Sequence, residues 1–205
     1  MRPEEDLVRG IKKHDPGVFE EFVRRYQRRV YFTALRLVGE SDEALDVAQE
    51  VFLKIWRFAP KAKKGIALAS WVYRITVNTC IDRLRARHRH EKHTTCNNVI
   101  MLSVPDKAMN PREHARLAED LREVKRALDE LTERQRAVFV LRHFQNLRIQ
   151  EIADVTSAPV GTVKATLHQT LSKLRGLLSA RMGVTYESIP EQDDSASGRD
   201  TEMMR

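Results

Sequence analysis

Apolar residues recur at steps of three and four along almost the whole 205-residue chain, and nowhere do they alternate with period two over a useful length. That spacing belongs to helices with one buried face, whereas a half-buried strand needs strict alternation. The expected class is therefore all-α. Asp15-Pro16 places a capping side chain before a proline at the first helical position. Phe19, Phe22, Val23, Tyr26, Val30, Ala34 and Leu37 then share one face, and Gly39 ends that helix. After Ser41-Asp42 the period returns with Ala44, Val47, Ala48, Val51, Phe52 and Ile55, and Pro60 closes it. Residues 57–68, with Lys61, Lys63, Lys64 and Gly65, read as a basic loop. A further helix is expected from Ser70 to Arg89.

From about His88 to Asn110 the period dissolves into His, Thr, Asn, Ser and Pro, which marks a linker. Asn110-Pro111-Arg112-Glu113 restarts a helix with cap, proline and a Glu at the third helical position, and Leu117, Leu121, Val124, Leu128 and Leu131 form its stripe. Thr132-Glu-Arg-Gln135 is a second capping box. Short apolar steps at Ile149, Ile152 and Ala153 precede a turn near residues 156–159. The last helix carries Val160, Val163, Leu167, Leu171, Leu174 and Leu178. The expected architecture is two small helical domains joined by a flexible linker. Residues 4–89 form the first, 90–110 the linker and 111–182 the second, and an acidic tail over 183–205 is too polar to fold alone.

Charge narrows the function. Lys and Arg number 36 against 29 Asp and Glu, a net +7. The tail holds Glu187, Glu191, Asp193, Asp194, Asp200 and Glu202 against only Arg199 and Arg205, so the body is more basic than the whole. Such a body suits phosphate polyanions or an acidic partner surface. Charged residues interrupt every apolar segment before it reaches membrane-spanning length, and the acidic start lacks the apolar core of a signal peptide. Cys80 and Cys96 cannot build a disulfide framework, so a reducing cytoplasm is the expected compartment. The scattered glycines form no phosphate-binding or nucleophile-elbow motif, and HExxH is absent. Neither an enzyme nor a cofactor is expected.

Two stripes carry the functional argument. In the helix from Ser70 to Arg89, Arg74, Asn78, Asp82, Arg85 and Arg89 share a face, with Trp71 at its head. Guanidinium groups, an amide and an aromatic ring in a row can track phosphates and touch bases; a solvated helix face has the same pattern. Arg83, Arg87 and Lys92 add charge nearby. Phe58 and Trp56 offer stacking surfaces, although core packing accounts better for Trp56. The second stripe has the layout of a helix-turn-helix. From Gln150 to Leu167 a short helix with small Ala153 permits close crossing, a tight turn follows, and Val163 and Leu167 anchor the next helix. That helix turns Thr162, Lys164, Ala165, His168 and Gln169 outward near its start, where a helix in the major groove reaches base edges. Lys suits guanine acceptors and Gln suits adenine. An ordinary three-helix bundle with polar exposed residues is the plainer alternative.

Over residues 7–178 the chain resembles a bacterial sigma factor of the extracytoplasmic-function (ECF) class, within the sigma-70 superfamily. Asp42-Glu-Ala-Leu-Asp-Val-Ala-Gln-Glu-Val-Phe-Leu-Lys-Ile-Trp resembles the segment by which sigma region 2 grips the β′ clamp helices of RNA polymerase. Ala69-Ser-Trp-Val-Tyr-Arg-Ile-Thr-Val-Asn-Thr-Cys-Ile-Asp-Arg-Leu-Arg is similar to the helix addressing the −10 promoter element. Leu131-Thr-Glu-Arg-Gln-Arg-Ala-Val-Phe-Val-Leu-Arg resembles the opening of region 4, and residues 150–174 its −35-reading helix-turn-helix. The resemblance implies a subunit that makes no bonds itself but gives core polymerase its promoter specificity. It implies polymerase contact, through the β′ clamp helices and β flap, at Asp42, Asp46, Gln49, Glu50, Leu53 and Lys54. It implies −10 contact at Phe58, Lys63, Trp71, Arg74, Asn78, Asp82, Arg83 and Arg85, with the 57–68 loop receiving a flipped base. It implies −35 contact at Thr162, Lys164, Ala165, His168 and Gln169, supported by Arg142. An anti-sigma partner that holds the chain inactive, in some cases at the membrane, is implied as well.

The chain departs from the family pattern in two places. Its −35-reading helix is poorer in Arg than relatives, with Lys173 and Arg175 further along. Ser157 also stands in the turn where glycine is common, at a cost on the order of 1 kcal/mol if left-handed. His88, His90, His93 and Cys96 fall within a polar basic stretch and read as solvated rather than as a metal or redox site. A stand-alone helix-turn-helix regulator is the competing function, and it leaves the acidic-polar helix of the first block unexplained.

Overall fold

The computed structural model describes residues 2–61, 67–90 and 111–183. Their order is α1 (Glu4–Lys12), α2 (Pro16–Val38), α3 (Ser41–Phe58), a 3-10 turn (Ala59–Lys61), α4 (Leu68–His90), α5 (Pro111–Asp129), α6 (Glu133–His143), α7 (Ile149–Thr156) and α8 (Val160–Met182). No strand occurs among the described residues.

Local chemistry explains several of the helix ends. The Asp15 carboxylate accepts from the backbone N–H groups of Gly17 and Val18 at 2.9 and 3.1 Å, and so satisfies donors that the first turn of α2 would leave unpaired. Gly39 ends α2 with φ 89°, a left-handed conformation that lets its N–H return to Leu35. Thr132 and Gln135 form the capping box of α6 reciprocally, at 3.3 and 3.1 Å. At α7 the Glu151 carboxylate accepts from the N–H of Arg148 at 2.7 Å.

α2, α3 and α4 pack around Phe22, Tyr26, Val30, Val47, Val51, Ile55, Val72 and Cys80, all buried. α1 lays Leu7 and Ile11 across α2, where Gly10 lies so near Val18 that an added Cβ would fall 2.6 Å from a Val18 methyl. Burial pushes the Tyr26 hydroxyl up to about 12, and its bond to Glu4 at 3.0 Å adds to that. The unfolded chain therefore loses this proton first, near pH 10, and stability falls as pH rises from about 10 to 12. A Tyr26→Phe variant is expected to show a shallower loss over that window in urea titrations.

α5 through α8 form the second bundle, with Leu128, Leu131, Leu141, Ile152, Val155, Val163 and Leu174 inside. Ser157, at φ 53° and ψ 38°, is the left-handed residue between α7 and α8. Glycine there removes the Cβ strain but frees the unfolded chain. Ser157→Gly is therefore expected to raise unfolding free energy by at most about 1 kcal/mol in a denaturant titration.

Several boundaries differ from those read in the sequence. Arg57 and Phe58 belong to α3 rather than to a loop, and Ala59 is buried in the following turn. α4 begins two residues before Ser70 because Leu68, 1% exposed, is drawn into the core. It continues to His90, one residue beyond the expected Arg89. Lys63, the stretch 91–110 with His93 and Cys96, and the tail after Gly183 lie outside the described residues.

The two bundles also pack on each other. α4 lies along α7, α2 touches α6, and one continuous cluster of buried residues runs from Leu7 through Leu84 to Ile152 and Val163.

Candidate nucleic-acid interface

α4 is positioned by Val72, Thr76, Val77, Cys80 and Leu84, which bury one side of it and turn its polar stripe away from the first bundle. Arg74, Asn78, Asp82 and Arg85 follow that stripe, with Asn78, Asp82 and Arg85 exposed. Arg83 does not join them. At about 100° per residue it lies roughly 180° from Arg74, and it pairs with α3 instead, 3.0 Å from Asp46 and 3.6 Å from Glu43. Arg87 meets the same Glu43 at 2.8 Å, and burial nevertheless raises the Glu43 carboxyl above its usual range. Arg83 thus sits where it fixes α4 to α3.

The aromatic candidates divide. Phe58 is 46% exposed at the end of α3, beside the basic loop, with the Arg57 guanidinium 5.8 Å from its ring centre. A ring so placed can stack a base. Trp56 packs against Phe19 and His14, with ring centres 4.6 and 4.7 Å away, as core packing requires. Trp71 is half-buried against the core.

α8 is held by Val163, which is buried, and by Leu167 and Thr170 behind it. Thr162, Lys164, Ala165, His168 and Gln169 are all exposed over its first three turns. Lys164 and His168 sit one turn apart, as do Ala165 and Gln169, so they form one continuous face. Arg142, near the end of α6, donates to the carbonyl of Leu147 at 3.1 Å, holding the turn into α7. Lys173 donates to the carbonyl of Glu130 in the loop after α5.

On α3 the side chains of Asp42, Asp46, Gln49 and Leu53 share one exposed face. Leu53 is 69% exposed and Leu45, on the same face, 49%. Sequence reading passed over Leu45, although its position outside the Ala44–Val47–Val51 stripe was the available signal. Glu50 and Lys54 lie at the flank, 2.8 Å apart, and Lys54 also reaches the Thr79 hydroxyl of α4 at 3.1 Å. Among the described residues no group of three or more His, Cys, Asp or Glu is arranged to hold a metal ion. Cys80 is fully buried, which pushes its thiol well above the usual range and leaves it an inert packing group. No helix among the described residues is long and apolar enough to cross a membrane.

Comparison with known proteins adds a second line of observation. Residues 22–90 match the family model "Sigma-70 region 2", and residues 121–174 match "Sigma-70, region 4". The RNA polymerase sigma-H factor of Pseudomonas aeruginosa is 30% identical over 169 residues, covering 80% of this chain and 88% of that protein. The ECF RNA polymerase sigma-E factor of Escherichia coli K12 is 31% identical over 166 residues, covering 78% and 86%. Among solved structures, CnrH in complex with the cytosolic domain of CnrY superimposes with a TM-score of 0.62 at 20% identity, covering 86% of this chain and 97% of that one. The sigma factor RpoE of Bartonella quintana, in complex with the anti-sigma factor NepR, gives 0.61 at 21% identity, covering 78% and 96%. At those identities the two structures bear on the fold alone.

Proposed function

The chain belongs to the sigma-70 family as an ECF sigma factor, and from that premise we propose which of its surfaces carry out each step of promoter recognition. The observation that carries the reading is the presence, in order on one chain, of an exposed polar-apolar stripe on α3 and two helices, α4 and α8, with cationic and amide side chains on open faces. A stand-alone regulator needs only α8 and gives Leu45 and Leu53 no role.

α3 docks on core RNA polymerase through Asp42, Leu45, Asp46, Gln49 and Leu53, with Glu50 and Lys54 at the rim. Two exposed leucines inside a ring of polar groups have the composition of a small interface core with a hydrated border. α8 enters the major groove of duplex −35 DNA. There Lys164 donates to guanine O6 or N7, Gln169 pairs with adenine N6 and N7, and Ala165 meets a thymine methyl. Thr162 and His168 flank these contacts. Arg142 steadies the turn before α7 and so positions the reading helix.

α4 takes the −10 element as a single strand. Arg74 and Arg85 offset phosphate charge, while Asn78 and Asp82 offer hydrogen bonds to base edges. Opening the duplex costs a few kcal/mol for each flipped base. Stacking on an exposed ring such as Phe58 offsets ~1–3 kcal/mol of it, and the loop containing Lys63 supplies further positive charge. The chain forms no covalent bond in this scheme and supplies recognition only. Because two solved relatives are complexes with the cytosolic domain of CnrY and with an anti-sigma factor, we extend the proposal to an inhibitory protein partner for this chain, acting in the cytoplasm.

The test is promoter selectivity. Lys164→Ala removes one base contact and is expected to cost ~1–3 kcal/mol on promoters with the matching guanine, or about 5- to 150-fold in initiation. Promoters lacking that guanine should change far less. An equal loss on all promoters, measured by multi-template transcription, overturns the assignment of α8.

A further inference from the structure

Where the two bundles meet, the buried Arg136 of α6 donates to the Leu37 carbonyl at the end of α2 at 3.2 Å. The Tyr73 hydroxyl of α4 donates to Gln145 Oε1, in the turn after α6, at 2.9 Å. Between α4, α6 and α8 lies a cavity of about 360 Å³. Val77 of α4, Val138 of α6 and Val163 of α8, all buried, give it an apolar wall, to which Ile81 adds. Asn78, Asp82 and Arg85 of α4 and Arg134 in the first turn of α6 line it as well, and all four are exposed to solvent. The volume lies at the small end of the range for small-molecule sites, about 300–1,000 Å³, where an apolar lining with a few polar groups is the usual composition.

Those four side chains make no hydrogen bond or ion pair with any of the described residues. Asp82 and Arg85 stand three positions apart, a spacing at which opposite charges on a helix pair, and still no ion pair joins them. Water can satisfy each polar group, but only a ligand with polar and apolar parts also covers the wall they surround. Their order sets its chemistry. Positions 78, 82 and 85 follow one face of α4 and span about 10 Å at 1.5 Å per residue. An amide suits the N6 and N7 edge of adenine. A carboxylate accepts from ribose hydroxyls, as it does in dinucleotide-binding folds. Guanidinium groups hold a phosphate by charge-assisted bonds. Amide, carboxylate and guanidinium thus follow the order base, sugar, phosphate. We propose that the cavity binds an adenine ribonucleotide. Asn78 reads the base, whose ring lies on Val77, Val138 and Val163; Asp82 holds the ribose 2′-hydroxyl; Arg85 and Arg134 clamp the phosphate from α4 and α6. Two cations against one carboxylate leave the site net positive, as an anion requires. The site stands on the cavity alone, whereas its consequence rests on the proposed function. Asn78, Asp82 and Arg85 are the groups assigned there to the −10 strand, so nucleotide and strand exclude each other.

Isothermal titration calorimetry of the full-length chain with adenosine monophosphate (AMP) tests the site, and saturable one-to-one binding is expected. Adenosine lacks the phosphate and 2′-deoxy-AMP lacks a donor to Asp82, so each should bind about tenfold or more weakly. Arg134→Ala, at an exposed residue with no part in promoter reading, should weaken AMP about 10- to 100-fold with an unchanged denaturant titration. Arg28→Ala, at an exposed position of α2 that lines no part of the cavity, should bind AMP as the parent does. The site is overturned by any of three results: no saturable heat with AMP, AMP bound no more tightly than adenosine, 2′-deoxy-AMP or inorganic phosphate, or an equal loss in Arg28→Ala and Arg134→Ala. AMP that binds as expected yet fails to displace a single-stranded −10 oligonucleotide from the chain supports the site and counts against the role proposed for α4.

Discussion

Leu53→Asp is expected to weaken association with core RNA polymerase about 30- to 1000-fold while leaving the fold intact. Leu53 is 69% exposed in the free chain, so an aspartate there meets water and disturbs no packing. Substitutions at such surface sites shift unfolding free energy by about 0.5 kcal/mol or less. Once the face is covered by a partner, the same carboxylate is desolvated opposite a surface that expects a leucine. Central interface anchors commonly cost 2–4 kcal/mol when lost, the source of the range given. Leu45→Asp should act in the same direction and less strongly, being half-exposed at 49%. Binding is read by fluorescence anisotropy of labelled chain against core polymerase, and stability by denaturant titration of the same sample. A destabilised variant, or one that binds as well as the parent, contradicts the assignment of α3.

The largest effect on stability is expected at Phe22. It is fully buried, with the rings of Tyr26, Phe52 and Phe19 centred 5.0, 5.8 and 6.0 Å from its own. Phe22→Ala removes that contact area and leaves a cavity that helices fixed by Asp15 and Gly39 cannot close. The expected loss is about 3–5 kcal/mol, against roughly 5–15 kcal/mol of stability for an ordinary domain. Because Phe22 belongs to the core of the first bundle and α8 to the second, promoter selectivity should be unchanged in whatever fraction remains folded. Calorimetry and urea titration measure the loss directly, and a loss under 1 kcal/mol would show that this cluster is not the core of the first bundle.

Helix ends encoded by neighbouring residues were legible in the sequence. Asp15-Pro16, the Thr132–Gln135 box and the left-handed Ser157 act within three or four positions, and the structure places each as read. Ends set by distant packing were not. Leu68 joins α4 because the core of the first bundle takes it up, and the composition of the preceding basic loop gives no sign of this. The resemblance implies −10 contact at Arg83, yet helical arithmetic places this residue half a turn from Arg74, beside the acids of α3. Arg136 shows the limit most clearly. A charged residue in an ordinary capping sequence reads as solvated, and its burial depends on the end of α2, 99 positions earlier. Tyr73 and Gln145 are 72 positions apart. Without such pairs the sequence describes two bundles and not their contact. The exposed faces of α8 and α3 could be read because each follows the period of a single helix.

The most direct measurement mixes purified full-length chain with core RNA polymerase and a library of promoter templates, then sequences the 5′ ends of the transcripts. Polymerase alone should start at few defined sites. With the chain present, initiation should concentrate on templates sharing a common pair of elements near −35 and −10, and chain and polymerase should co-elute on gel filtration. Failure of the chain to associate with polymerase when no inhibitory protein is present, together with an unchanged set of start sites, would contradict the account.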